Sequence, residues 1–136
     1  MDAAHESLLT IAIGDIDFFK HINDTYGHEV GDYVLETLAK IMEEFMEGKG
    51  MVARWGGEEF LFAFENINGD YAFEQISKLL HLIEKYDFEF EDKKIKVTMT
   101  FGVEEYDKSV GLDSVIAAAD EKLYMGKTSG RDRVIF

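Results

Sequence analysis

The chain has 136 residues, 46% of them hydrophobic with 11 Phe, enough to bury one core and little more, so a single domain over residues 1–136 is expected. The absence of Cys excludes disulfides and thiolate chemistry, leaving oxygen and imidazole as metal ligands. A formal charge of −14 repels phosphate backbones and argues against a nucleic-acid binder, while the lack of a long apolar run or a signal-like amino terminus predicts a cytoplasmic segment without membrane contact.

Residues 8–16 are mostly apolar and of strand length, ending at Asp15, which suits a central strand covered on both faces. Over residues 29–47, Val30, Val34, Leu38, Ile41 and Phe45 recur at helical spacing, and Gly48-Lys49-Gly50 closes the segment. Residues 51–55 and 59–64 read as antiparallel strands around Gly56-Gly57, a pair able to take the positive φ values of a tight hairpin turn. Phe73, Ile76, Leu79, Leu80 and Ile83 mark a second amphipathic helix, and residues 88–91 a short edge strand. Ile95, Val97, Met99, Phe101 and Val103 then alternate with smaller or polar residues, which predicts one strand with a single buried face. Val115, Ile116, Ala119 and Leu123 define a third helix, and residues 133–136 a last strand. The order implies a mixed sheet with helices packed on it, an α/β (α+β) class.

Chemistry concentrates in three places. Gly14-Asp15-Ile16-Asp17-Phe18-Phe19-Lys20 sets two carboxylates at a strand end, where open α/β sheets present their ligand crevice; the ordinary reading is that Asp17 caps a following short helix. Arg54-Trp55-Gly56-Gly57-Glu58-Glu59-Phe60 sets two more after a pair of glycines, and the ordinary reading is a solvated hairpin tip. Asn23-Asp24-x-x-Gly27-His28-x-x-Gly31-Asp32 crowds turn formers into the approach to the long helix. Residues 122–136 add Lys122, Lys127, Arg131 and Arg133 against Asp132 alone, a local excess suited either to an anion or to a helix carboxyl end.

Together the run Asp15 to Asp32, the Arg54 to Phe60 segment and the closing Ala119-Asp120-Glu121-Lys122-Leu123-Tyr124-Met125-Gly126-Lys127-Thr128-Ser129-Gly130-Arg131 resemble the GGDEF family of diguanylate cyclases, in its Gly-Gly-Glu-Glu-Phe variant. The resemblance runs from about Leu8 to Phe136. It implies a nucleotidyl-cyclase, palm-like fold with an active-site β-hairpin, and condensation of two GTP into cyclic di-GMP with release of pyrophosphate. By position it makes Asp15 and Glu58 the principal ligands of Mg²⁺, or of Mn²⁺ in its place, with the Ile16 carbonyl adding an oxygen. Glu59 assists the metal or accepts the hydroxyl proton. Main-chain N–H groups of Phe18, Phe19 and Lys20 meet the β- and γ-phosphates with Lys127 and Arg131, and Asn23 and Asp32 read guanine.

The same resemblance implies a second copy of the domain as partner, in at least a transient homodimer, because the reaction needs two half-sites. A sensory domain outside this chain is expected as well. The alternatives are a noncatalytic module that binds GTP or cyclic di-GMP, and a metal-dependent nucleotidyl transferase on a polymerase-like palm, which the acidic charge disfavours.

Two departures stand out. The positions matching the family's Arg-x-x-Asp feedback site are Glu47 and Gly50, and an anionic Glu47 cannot replace an Arg fork on phosphate. The family's amino-terminal segment is not recognisable in residues 1–7, which predicts a sheet face left partly uncovered. His5, His21 and His81 show no ligand spacing and read as surface residues, His28 as a turn residue, and Trp55 as a packing residue.

Overall fold

A computed structural model of the chain describes residues 8–136. The readings of His5 and of residues 1–7 lie outside that range. Leu9–Ile16 forms β1, with seven of its eight residues buried, as a continuous apolar run requires. It pairs antiparallel with β3 (Glu59–Glu65) on one side and β6 (Met99–Glu105) on the other. Strand β2 (Gly50–Arg54) lies antiparallel to β3 at one edge, and β7 (Arg133–Ile135) lies parallel to β6 at the other. The mixed sheet has the order β2-β3-β1-β6-β7 and, with four helices, is the α+β arrangement expected.

Alternation along the strands assigns the two faces. Ala12 and Ile16 join Phe60, Phe62, Phe64, Met99, Phe101 and Val103 in a core with α1 (Phe19–Tyr26), α2 (His28–Met46) and α3 (Gly69–Lys85). Each of these large side chains contributes about 1.5–3 kcal/mol by its burial. The buried stripe of α2 advances in strict four-residue steps through Val30, Val34, Leu38, Met42 and Met46, while Ile41 and Phe45 pack at its margin. Asn68 caps α3 by accepting the Tyr71 N–H at 2.8 Å.

Ile11 and Ile13 point the other way. With Leu61 and Ala63 they meet Val115, Ala119 and Leu123 of α4 (Leu112–Thr128). This helix rests almost directly on the sheet, because a Cβ at Gly102 would stand 2.1 Å from the Ala119 carbonyl oxygen and 2.5 Å from the Leu123 nitrogen. Among the described residues nothing covers Met51 and Ala53, the β2 residues opposite Ala63 and Leu61 on that face.

Four expectations are corrected. Residues 95–103 are not one strand: Lys93–Ile95 is β5, which pairs with β4 (Phe88–Phe90) in a separate two-stranded hairpin, and β6 starts only at Met99. Left-handed Glu91 and Asp92 turn the chain back there, and Tyr33 anchors the hairpin by accepting the Glu89 N–H at 3.1 Å. For the same reason residues 88–91 do not edge the main sheet. Strand β6 is buried on both faces, since α4 covers one and the main core the other. Gly56 and Gly57 do not take positive φ. Instead, the Trp55 and Gly56 N–H groups close onto the Glu59 carbonyl, and the Arg54 guanidinium donates to the Gly57 carbonyl at 2.6 and 2.9 Å.

Candidate active site

Asp15 is the last β1 residue paired with β3, where Glu59 stands opposite it, and it faces Thr100 across the ladder to β6. One step on, the Ile16 N–H donates to the Glu58 carbonyl at 3.3 Å, which fixes the hairpin base against the strand end. Alternation turns Asp15 toward α4, where the Lys127 ammonium donates to Oδ2. The other oxygen, Oδ1, is buried and has no hydrogen-bond partner among the described residues. Leaving a buried acceptor unpaired costs about 1–3 kcal/mol, more for a charged group.

The carboxyls disturb one another. Burial raises Asp15 above the usual carboxylate range and the Asp17 charge adds to the rise, while the bond from Lys127 and its charge oppose it. Glu58 and Glu59 are raised first by burial and then by the Asp15 charge, with Asp120 acting further on Glu59 and Lys127 lowering both. Crowded hard-oxygen donors with one oxygen unpaired suit a small divalent cation. Among the described residues no three acidic or imidazole side chains converge into a closed cage. The lack of a closed cage does not by itself exclude Mg²⁺, which is commonly bound through one or two carboxylates and completed by phosphate and water.

Beside this cluster, Phe18 adopts the left-handed conformation (φ 54°, ψ 36°) and opens α1 without a side-chain cap. A bulky residue held there is strained, and the main-chain N–H groups of the first helical turn have no partner within the helix. Phe19 buries its ring in the core, so only its main chain faces outward. Lys20 bonds Asp24 at 2.8 Å on the surface. The Arg131 guanidinium lies 4.6 Å from the centre of the exposed Phe18 ring and donates to the Lys127 carbonyl at 3.3 Å.

Asn23 and Asp32 come from α1 and α2, on the opposite face of the sheet from α4. The Asn23 side chain packs over Gly31, where a Cβ would lie 1.9 Å from its Oδ1, and Asp32 follows on the exposed side of α2. Glycine at 31 is thus a requirement of close approach.

Asp17 does not cap α1. The residue is 5% exposed, and its carboxylate accepts from Thr98 Oγ1 (2.7 Å), Thr100 Oγ1 (2.6 Å) and the Asp132 N–H (2.9 Å). Sequence reasoning missed this network, whose members lie 81, 83 and 115 residues from Asp17 and carry no local signal. Trp55 is 54% exposed on the hairpin and is not a packing residue. His21 and His81 lie on the surface, and His28 opens α2. The cations of the last segment have individual partners, Lys122 with Glu104 and Arg133 with Ser129, so the helix dipole alone does not account for them. Glu47 is exposed after α2, and Gly50 opens β2.

Comparisons with known proteins agree with this architecture. A family model described as "Diguanylate cyclase, GGDEF domain" matches residues 1–133. Diguanylate cyclase A of Treponema denticola is 40% identical over 127 residues, which cover 93% of this chain and 34% of that protein. The chain thus spans about a third of that curated relative's length. Diguanylate cyclase SiaD of Pseudomonas aeruginosa, solved with its activator SiaC, superposes with a TM-score of 0.92 at 31% identity over 98% of this chain and 52% of that one. The GGDEF domain of DgcB from Caulobacter crescentus, solved in complex with c-di-GMP, gives 0.91 at 27% identity over 97% and 79%.

Proposed function

The chain belongs to the GGDEF family, and from that premise we propose that it is a diguanylate cyclase domain that condenses two GTP into cyclic di-GMP. The observation that carries this reading is the meeting of Asp15, Glu58, Glu59 and Lys127 at the end of β1, with Asp15 Oδ1 left unpaired. Asp15, Glu58 and the Ile16 carbonyl would hold Mg²⁺, which supplies neutralisation of charge on the reacting phosphate oxygens. Glu59 completes that shell or takes the proton of the attacking hydroxyl. Its pKa, raised first by burial and then by Asp15, suits a proton acceptor better than an ordinary surface carboxylate would.

The remaining residues position the triphosphate. N–H groups of Phe18, Phe19 and Lys20 receive the β- and γ-phosphates at the start of α1, with Lys127 and Arg131 as counter-charges. Asp32 accepts from guanine N1–H and the 2-amino group, and Asn23 supplies a neighbouring polar contact; adenine offers an acceptor at N1 and no amine at C2, so GTP is favoured over ATP. In each half-reaction the 3′-oxygen of one GTP bonds to the α-phosphorus of the other. The bond from that phosphorus to the bridging oxygen breaks, pyrophosphate leaves, and the hydroxyl proton passes to a site carboxylate or water.

Two half-sites are needed, so the working species is a pair of these domains. Among the described residues no helix is long and apolar enough to cross a membrane, and we place the domain in the cytoplasm with its sensory input elsewhere. With Glu47 and Gly50 at the feedback positions, the product is not expected to inhibit through them.

Incubation of the protein with GTP and Mg²⁺, followed by chromatography, tests the reading. Cyclic di-GMP and pyrophosphate are expected, and Glu58→Ala is expected to abolish both while the fold is retained. GTP binding without turnover at concentrations that allow pairing would point to a noncatalytic module, and adenine in the product would overturn the role of Asp32.

A further inference from the structure

We propose that Asp17 is a positioning residue that holds Arg131 over the start of α1, an inference that rests on the phosphate role given to Arg131 above. Of its three hydrogen bonds, the one from the Asp132 N–H matters most, because it ties the end of β1 to a turn 115 residues away in sequence. That turn is strained: Gly130, Arg131 and Asp132 have φ of 130°, 64° and 50°. Two successive non-glycine residues in the left-handed region cost about 1–2 kcal/mol each, so the conformation persists only where its surroundings over-determine it.

The restraints are few and identifiable. The Arg131 N–H donates to the Gly126 carbonyl at 2.9 Å, which holds the near end of the turn to α4. The Asp132 N–H donates to Asp17 Oδ2, and to Thr100 Oγ1 at 3.1 Å, which holds the far end. Among the described residues the Arg131 side chain itself has only the Phe18 ring and a 3.3 Å bond to the Lys127 carbonyl. It borders an open cavity of about 690 Å³, shared with His21, Tyr26 and Lys96, into which a released guanidinium would swing. The backbone tether therefore decides where the guanidinium resides.

A carboxylate suits the post because it accepts on both oxygens and donates on neither, so two threonine hydroxyls and a main-chain N–H all converge on it. Asp17 is immobile in turn, since its own N–H donates to the Thr98 carbonyl at 2.9 Å. Thr100 stands opposite Asp15 in the ladder. One rung of the sheet thus sets both the cation-binding carboxylate and, through Asp17, the distant arginine.

The test uses the 136-residue chain and 3′-deoxy-GTP, which lacks the attacking hydroxyl. Calorimetry in Mg²⁺ gives its dissociation constant, and ¹⁵N NMR follows the Arg131 side-chain N–H, whose resonance the Phe18 ring shifts. Asp17→Ala and Thr100→Val are each expected to weaken binding by about tenfold and to abolish the ring-induced shift, with Thr100→Ser restoring both. The GTP concentration for half-maximal rate is expected to rise in step while the saturated rate changes by less than about threefold. In an Arg131→Ala background, Asp17→Ala is expected to add less than about twofold, because the group being positioned is gone. Losses that multiply in the double variant, or an Arg131 resonance unmoved by Asp17→Ala, overturn the proposal. If Arg131→Ala alone leaves the affinity unchanged, the phosphate role fails and the resonance decides the positioning claim by itself. Should Asp17→Ala not fold, Asp17→Asn and Thr100→Val take its place, and an unmoved resonance in both rejects the inference.

Discussion

Gly102→Ala probes how closely the geometry of the proposed site depends on the seat of α4. The added Cβ would stand 2.1 Å from the Ala119 carbonyl oxygen, and reaching the 3.4 Å of ordinary contact demands a retreat of about 1.3 Å by helix backbone that cannot rotate away. Overpacking of this kind typically costs about 1–3 kcal/mol, which for a domain of this size lowers the unfolding midpoint by roughly 3–12 °C. Lys127 lies one turn beyond Leu123 on the same helix, so the retreat carries its ammonium away from Asp15. A misplacement of about 1 Å is worth on the order of 100-fold in rate. Thermal unfolding and chromatographic assay of cyclic di-GMP on one preparation measure both effects. Gly57→Ala, whose Cβ meets nothing within 4 Å, serves as the thermal control. A Gly102→Ala variant with the midpoint and rate of the parent would refute the claim that α4 places Lys127 by direct contact with β6.

Further outcomes follow from particular contacts. Asp132 is raised to about 6 by burial and by the neighbouring Glu84, against Lys96 and Arg133. Its folded value lies above the unfolded 3.8, so its contribution is complete below about 3.8 and is lost as pH rises through about 6. Asp132→Asn is therefore expected to raise the unfolding midpoint at pH 7.5 and to flatten the gain otherwise seen on acidification from pH 7 to 5; a variant profile parallel to the parent's rejects this. Mg²⁺ without nucleotide is expected to stabilise the protein more at pH 8 than at pH 5.5, because the raised Asp15, Glu58 and Glu59 must ionise to bind it. At a hundredfold excess over Kd the gain is about 2.7 kcal/mol, and calorimetry should show it vanish in Asp15→Asn. Gly31→Ala drives a methyl group into the Asn23 amide, which is expected to raise the GTP concentration for half-maximal rate by about tenfold and to erode discrimination against ATP, as competition assays would show.

Strand β1, the hairpin strands and α2 were legible because burial on a defined face imposes a period on their residues. The same signal misled at residues 95–103, where alternation runs on through 96–98 although the chain leaves one hairpin and enters the main sheet. Periodicity reports which side chains are buried, not which strand pairs with which. Asp15, Glu58, Glu59 and Lys127 stood out by motif, and the structure brings them together at one strand end. The ordinary reading of Asp17 as a local cap fails because its partners lie 81, 83 and 115 residues onward. No local window contains them, and Thr98 and Thr100 look like ordinary strand residues until β6 is seen beside β1. The paired glycines of the hairpin were visible, yet their backbone angles were not, since the Arg54 side chain closes the turn that a left-handed glycine was expected to make.

The open flank of the sheet bears on how the molecule behaves at high concentration. Among the described residues strand β2 has a partner on one side only; it presents exposed Met51 and Ala53, with Arg54 as its one charge and no lysine or proline within the strand to blunt the edge. The −14 net charge opposes the approach of a second copy, and its reach shrinks from about 30 Å at 0.01 M ionic strength to about 3 Å at 1 M. Colloidal stability is thus expected to fall as salt rises, and storage at low ionic strength is expected to keep molecules from meeting along this edge.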